Sequence, residues 1–184
     1  MARRWHRGLA MSPRQLQIVS GLTVRPLGAR DKAALLDLFE RLSPRSRMLR
    51  FLAPKPALSA CDLAYLTEID HRRHDALVAV APDGAFVAVA RFACGFGETT
   101  VAEVAFAVAD AWQGRGIASA LAPLLLERAR ANGIARLRAS TLPENRAARR
   151  LLVRTGFEVM RIADGLLELE LDLAAGDAAD RRAA

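Results

Sequence analysis

Val108-Ala-Asp-Ala-Trp-Gln-Gly-Arg-Gly-Ile-Ala118 joins a strand to a helix through a glycine-rich turn. Before it, Val101–Val108 is a run of β-branched, small and aromatic residues, the composition of a strand. After it, Gly116–Ala131 reads as a helix. The free N–H groups and positive dipole end of such a helix make an anion site. Gly114 and Gly116 allow the backbone to approach a phosphate with no side chain between. No Gly-Lys-Ser/Thr follows, so this is not a P-loop, and Ser119 stands where the dinucleotide fingerprint needs glycine. Taken alone, the same residues also suit a plain strand-to-helix turn.

Upstream, Asp31–Leu42 places Ala34, Leu35, Leu38, Phe39 and Leu42 on one helix face. Ser43-Pro44 starts a second helical segment, with serine as cap and proline at the first position, and Ser59 starts a third ending near Ile69. A short strand is expected near Leu22–Arg25. Ala76–Val80, Phe86–Ala93 and Val101–Val108 read as an antiparallel meander, its first turn at Pro82-Asp83-Gly84. Downstream come strand Ala135–Ser140, helix Asn145–Thr155 and strands near Phe157–Arg161 and Leu166–Leu173. Pro123 falls inside a helix and should bend its axis. The expected organisation is a basic arm over 1–17, one α/β domain over 18–173 and a disordered tail over 174–184.

The 184 residues carry a net charge of +7. Arg3, Arg4, Arg7, Arg14, Arg181 and Arg182 place much of that charge at the ends. No basic motif interleaved with aromatics appears, so no dedicated nucleic-acid binding is expected. Cys61 and Cys94 lack metal-type spacing, no metal is expected, and the thiols read as reduced. No apolar run approaches the roughly 18–20 residues that span a bilayer. Met1–Arg7 has no secretory pattern, so a cytoplasmic protein without membrane attachment is expected.

Two spaced motifs carry a family resemblance. Gln113-x-x-Gly116-x-Ala118 resembles the pyrophosphate-binding motif of the GNAT acetyltransferase superfamily, and Asn145…Gly156-Phe157 resembles its second signature. The resemblance implies a GNAT fold, a mixed and mostly antiparallel sheet flanked by helices and splayed near Val108. It implies acetyl-CoA as co-substrate, with Gln113, Gly114, Arg115, Gly116, Ile117 and Ala118 around the pyrophosphate. Asn145 would meet the pantetheine arm, and the Phe106 and Val108 backbone would pair with pantetheine and acetyl group. Further upstream, Leu42–Phe51, Leu66–His71 and Ala76–Val80 resemble the catalytic domain of bacterial protein lysine acetyltransferases that modify acetyl-CoA synthetase. That likeness implies a protein lysine as acceptor.

Acetyl transfer to an amine needs a base, because an alkyl ammonium of pKa about 10.4 is mostly protonated at neutral pH. Glu103 is the candidate: a lone carboxylate in the apolar strand Val101–Val108, where burial would raise its pKa. Ala102-Glu103-Val104-Ala105 also matches the resembled family's segment around its catalytic glutamate. Asp70, His71 and His74 form a second titratable cluster, with His71 as reserve base. Leu152 occupies the position where many superfamily members carry a tyrosine acid. Arg146, Arg150 and Arg154 share a helix face, solvated or turned to phosphates. Rival readings are a small-molecule amine acetyltransferase, a non-catalytic acyl-CoA-binding module and a polyanion-binding protein.

Overall fold

The computed structural model describes residues 21–174. The expected basic arm over 1–17 and most of the tail from 174 lie outside the described residues. Seven strands form one sheet in the order β1-β2-β3-β4-β5-β7-β6: β1 Thr23–Pro26, β2 His74–Val80, β3 Phe86–Cys94, β4 Val101–Val108, β5 Arg136–Thr141, β6 Glu158–Ala163 and β7 Leu166–Asp172. Every pairing is antiparallel except β4 with β5. Five α-helices flank it: α1 Lys32–Glu40, α2 Pro44–Phe51, α3 Ala60–Thr67, α4 Ile117–Ala131 and α5 Arg146–Arg154. The mixed, mostly antiparallel sheet is the expected one.

Local chemistry explains the boundaries. Ser43 Oγ accepts from Ser46 N at 3.2 Å, and Pro44 then opens α2 with a preset φ. Ser59 and Asp62 form a reciprocal capping box at the start of α3. α4 continues through Pro123 as one helix. β2 and β3 are buried along almost their whole length, because helices cover the sheet on both sides.

The core therefore has two parts. On one face, Leu121, Leu125 and Ala129 of α4 and Leu152 of α5 pack against Leu77, Val87, Phe92 and Leu137. On the other, Leu35 and Leu38 of α1 and Leu66 of α3 pack on Val78, Phe86 and Val89. Ala102, Val104, Phe106 and Val108 turn toward the first core, whereas Ala107 belongs to the second. The intervening positions of β4 follow Ala107, since strand side chains alternate.

Candidate functional site

β4 and β5 pair over only three positions, Val101↔Arg136, Ala102↔Leu137 and Glu103↔Arg138. β4 stays registered with β3 up to Val108, so past Glu103 one edge of β4 has no strand beside it. The gap opens into a cleft of about 360 Å³, lined by Val104–Val108 on one side and Ala139, Ser140 and Thr141 of β5 on the other. An unpaired strand edge presents main-chain donors and acceptors to an extended ligand. This is the splay expected near Val108.

The glycine-rich turn closes one end of the cleft. Gly114 and Gly116 adopt φ of 74° and 78°, a region in which an L side chain is strained. Gly116 is the N-cap of α4. A Cβ built on Gly114 would meet nothing within 4 Å, so the space above the turn is open. The first amides of α4 have no intrahelical acceptor and face this region with the helix dipole behind them. An extended cleft, a free strand edge and an anion cradle in series fit a pantetheine chain ending in a pyrophosphate.

Most expected binding residues converge here. Phe106, Val108, Gln113, Gly114, Gly116, Ala118 and Asn145 all line the cleft. The side chains of Arg115 and Ile117 do not. Arg115 lies over the Trp112 ring at 4.8 Å, and Ile117 is buried in the core, which leaves their backbone amides as the groups able to meet a ligand. Gln113 Nε2 donates to Val108 O at 3.1 Å and to Ser46 Oγ at 3.2 Å. Its side chain fixes the turn, and the Val108 carbonyl is already engaged. Asn145 Oδ1 caps α5 by accepting from Ala148 N at 3.1 Å, which leaves the Nδ2 group to donate. Of the arginine face on α5, Arg150 and Arg154 line the cleft.

Glu103 departs from its expected environment. It is exposed, and it lies beyond the cleft lining rather than in an apolar pocket. The reason is its face: it points to the side opposite the buried Ala102 and Val104. It follows Ala107 and Ala105 along one face, about 7 Å beyond Ala105 at roughly 3.3 Å per residue.

The second titratable cluster is dispersed. Asp70 Oδ1 accepts from the backbone N–H groups of Arg72, Arg73 and His74, each at 2.9 Å. Its role is to shape the turn. His71 Nδ1 meets the fully buried Asp75 at 2.9 Å, and Asp75 also binds Arg128 of α4 at 2.6 Å. His71 therefore belongs to a network on the α4 face. His74 accepts from Arg91 on the opposite face, with Nε2 and NH1 3.1 Å apart. Burial, and then the Arg91 charge, lower its pKa to about 4, so it is neutral at pH 7. Tyr65 is exposed and contacts the His74 ring. Cys94 is half-buried and burial pushes its thiol up, which suits an inert residue.

Leu152 is buried and lines the cleft, so no hydroxyl acid stands there. Two features escaped the sequence reading. Thr141 is buried on the cleft wall with no partner for Oγ1 among the described residues, and Arg50 lines the cleft from α2. Thr141 gave no signal beyond its place at the end of a strand.

The acetyltransferase (GNAT) family model matches residues 36–157, a span holding the splayed strand, the glycine turn and Asn145. The chain belongs to the GNAT acetyltransferase family. The family's co-substrate is acetyl-CoA. Over 89% of its length it is 33% identical to acetyltransferase Pat of Mycolicibacterium smegmatis, and it covers 50% of that protein. It therefore spans about half of that relative. Acetyltransferase PA5475 of Pseudomonas aeruginosa is 34% identical over 77% of each chain. Among solved structures, the GNAT domain of S. lividans PAT is 36% identical with a TM-score of 0.76, over 81% of this chain and 89% of that one. Among the described residues of this GNAT protein, no helix is long and apolar enough to cross a membrane.

Proposed function

We propose that this GNAT enzyme acetylates the ε-amine of a lysine on a protein, with an acyl-CoA synthetase as first candidate and Glu103 as general base. The acceptor class is supported by the resemblance of Leu42–Phe51, Leu66–His71 and Ala76–Val80 to protein lysine acetyltransferases, and the first of these segments reaches the cleft through Leu42, Ser46, Leu49 and Arg50. In this mechanism the cradle at Gln113–Ala118 holds the pyrophosphate and the open edge of β4 aligns the pantetheine arm. The amine approaches on the face shared by Glu103, Ala105 and Ala107. Glu103 takes the ammonium proton through water, a relay suited to an exposed carboxylate, and the freed amine attacks the thioester. A β4 amide near Phe106 or Val108 donates to the developing oxyanion. The CoA thiolate leaves and takes a proton from water or from the protonated nitrogen of the tetrahedral adduct, which sheds one as the amide forms, since Leu152 supplies none.

The test is labelled acetyl-CoA with purified acyl-CoA synthetase, run beside a panel of polyamines and amino acids. A protein substrate should label on one lysine, and its rate should fall as salt screens the basic surface. Rapid turnover of a small amine with no labelled synthetase rejects the protein acceptor and leaves the acetyltransferase assignment standing.

A further inference from the structure

Arg91 sits in the middle of β3, a strand otherwise free of charge, and is only 5% exposed. NH1 meets His74 Nε2 at 3.1 Å and NH2 donates to Leu66 O at 2.9 Å, both neutral acceptors. Its Nε is buried with no partner. Arg50, half-buried on α2, stacks against the Phe51 ring at 4.8 Å. Among the described residues neither guanidinium has a carboxylate within ion-pair distance. The same chain neutralises buried charge elsewhere: Arg128 pairs with Asp75 at 2.6 Å, and Arg25 with Asp31 at 2.7 Å.

Both arginines line one apolar recess of about 30 Å³, walled by Leu35, Leu38, Phe39 and Leu66. Leu42, Arg50 and Ala107 line both the recess and the large cleft, so the two cavities are neighbours across these residues. Burying Arg91 with no anion, beside the half-buried charge of Arg50, is unfavourable unless a partner arrives. Desolvation pulls the Arg50 guanidinium down to about 10. It pulls Arg91 to about 9, with the Arg50 charge adding to the effect. The pyrophosphate cradle does not fill this need. Arg91 is level with Ala105, three residues back along β4 from Val108 and so roughly 10 Å from the glycine turn. That position is on the proposed amine side of the cleft. A recess with room for about two water-sized groups matches a planar carboxylate, and the guanidinium fork binds that shape in a bidentate manner.

We infer that the acceptor carries a carboxylate close to its reacting amine, and that Arg50 and Arg91 receive it. The inference rests on the reading of this cleft as the acetyl-transfer site. The carboxylate belongs either to a free amino acid or to an Asp or Glu near the target lysine of a protein.

The experiment compares matched acceptors with the full chain: lysine against cadaverine, and a lysine peptide with Glu against the same peptide with Gln. kcat/KM is measured with acetyl-CoA, and Kd by calorimetry on the CoA-loaded protein. A carboxylate on paired guanidiniums should favour the acid member of a pair by about 10- to 100-fold, the usual range for charged hydrogen bonds. The preference should collapse in Arg50→Gln and in Arg91→Met. Arg50 is partly solvent-exposed, so Arg50→Gln keeps the test valid if the buried Arg91 variant fails to fold. A preference confined to the free amino acid, or to the peptides, names the source of the carboxylate. Equal kcat/KM and equal Kd within both pairs overturn the inference. Acetyl-CoA titrated into the same preparation separates the two failures: absent cofactor binding rejects the cleft assignment, whereas binding without acid preference rejects the carboxylate alone.

Discussion

Gln113 and Ser46, 67 residues apart, are joined by a 3.2 Å hydrogen bond from Gln113 Nε2 to Ser46 Oγ. The same nitrogen lies 3.1 Å from Val108 O and 3.3 Å from Asp110 Oδ1. One side chain thus fastens α2, the end of β4 and the turn before α4, three walls of the cleft. Gln113→Ala should raise the acetyl-CoA Kd about tenfold, since the loss of a hydrogen bond or two is worth roughly 1–1.5 kcal/mol. Calorimetry decides, and an unchanged Kd shows that the turn holds its shape without Gln113.

Acetyl-CoA at about one hundred times its Kd should stabilise the protein by roughly 2.7 kcal/mol, which for this size raises Tm by about 5–10 °C. Gly116→Glu places a carboxylate beside the cradle and should abolish that shift. Gly116→Ala imposes similar backbone strain without the charge, lowers the Tm of the free protein and should keep part of the shift. Two equal shifts mean that the anion does not bind at this turn.

Glu103→Gln keeps size and loses basicity. Cofactor binding should survive while kcat/KM near neutral pH falls on the order of 10²–10⁴-fold. The deficit should narrow at high pH, where free amine forms unaided. Full activity in the variant removes Glu103 from the chemistry.

His74 gives a pH signature of stability. Its folded-state pKa of about 4 lies below its ordinary 6.5, so between these values the unfolded chain binds more protons and stability falls as pH falls. Discounted for partial solvent exposure, the loss between pH 7 and pH 5 is about 1 kcal/mol. His74→Gln retains an acceptor for Arg91 and should flatten that slope in urea denaturation. Parallel slopes in the two proteins count against a neutral His74 held by Arg91.

Asp75 is fully buried between His71 and Arg128. Asp75→Asn removes the buried carboxylate charge that Arg128 meets at 2.6 Å and should cost about 3–5 kcal/mol of stability. His71→Ala should cost less and leave kcat within about twofold, because His71 contacts the α4 side rather than the amine side. A large kcat loss with intact stability would restore His71 as a base.

Much of this structure was legible in the chain because the deciding signals are local. Val101–Val108 has the expected ends, and Ser43 and Ser59 start the expected helices, since caps and period-2 runs act within a few residues. The glycine turn before α4 was legible for the same reason. The environment of Glu103 was not: with alanine on both sides of the strand, composition does not say which face a helix covers. The Asp75–Arg128 pair closes over 53 residues and leaves no trace in spacing. Arg91 did leave one, a lone cation in an apolar strand, but its meaning depends on Arg50 arriving from a helix 41 positions earlier.

The three-position pairing of β4 with β5 makes the sheet two leaves sharing a short spine, β1–β4 on one side and β5–β7 on the other. A ligand lying along the open edge of β4 is then a surrogate strand, supplying rungs that the polypeptide omits. On the proposed binding mode, the co-substrate therefore also braces the two leaves against each other.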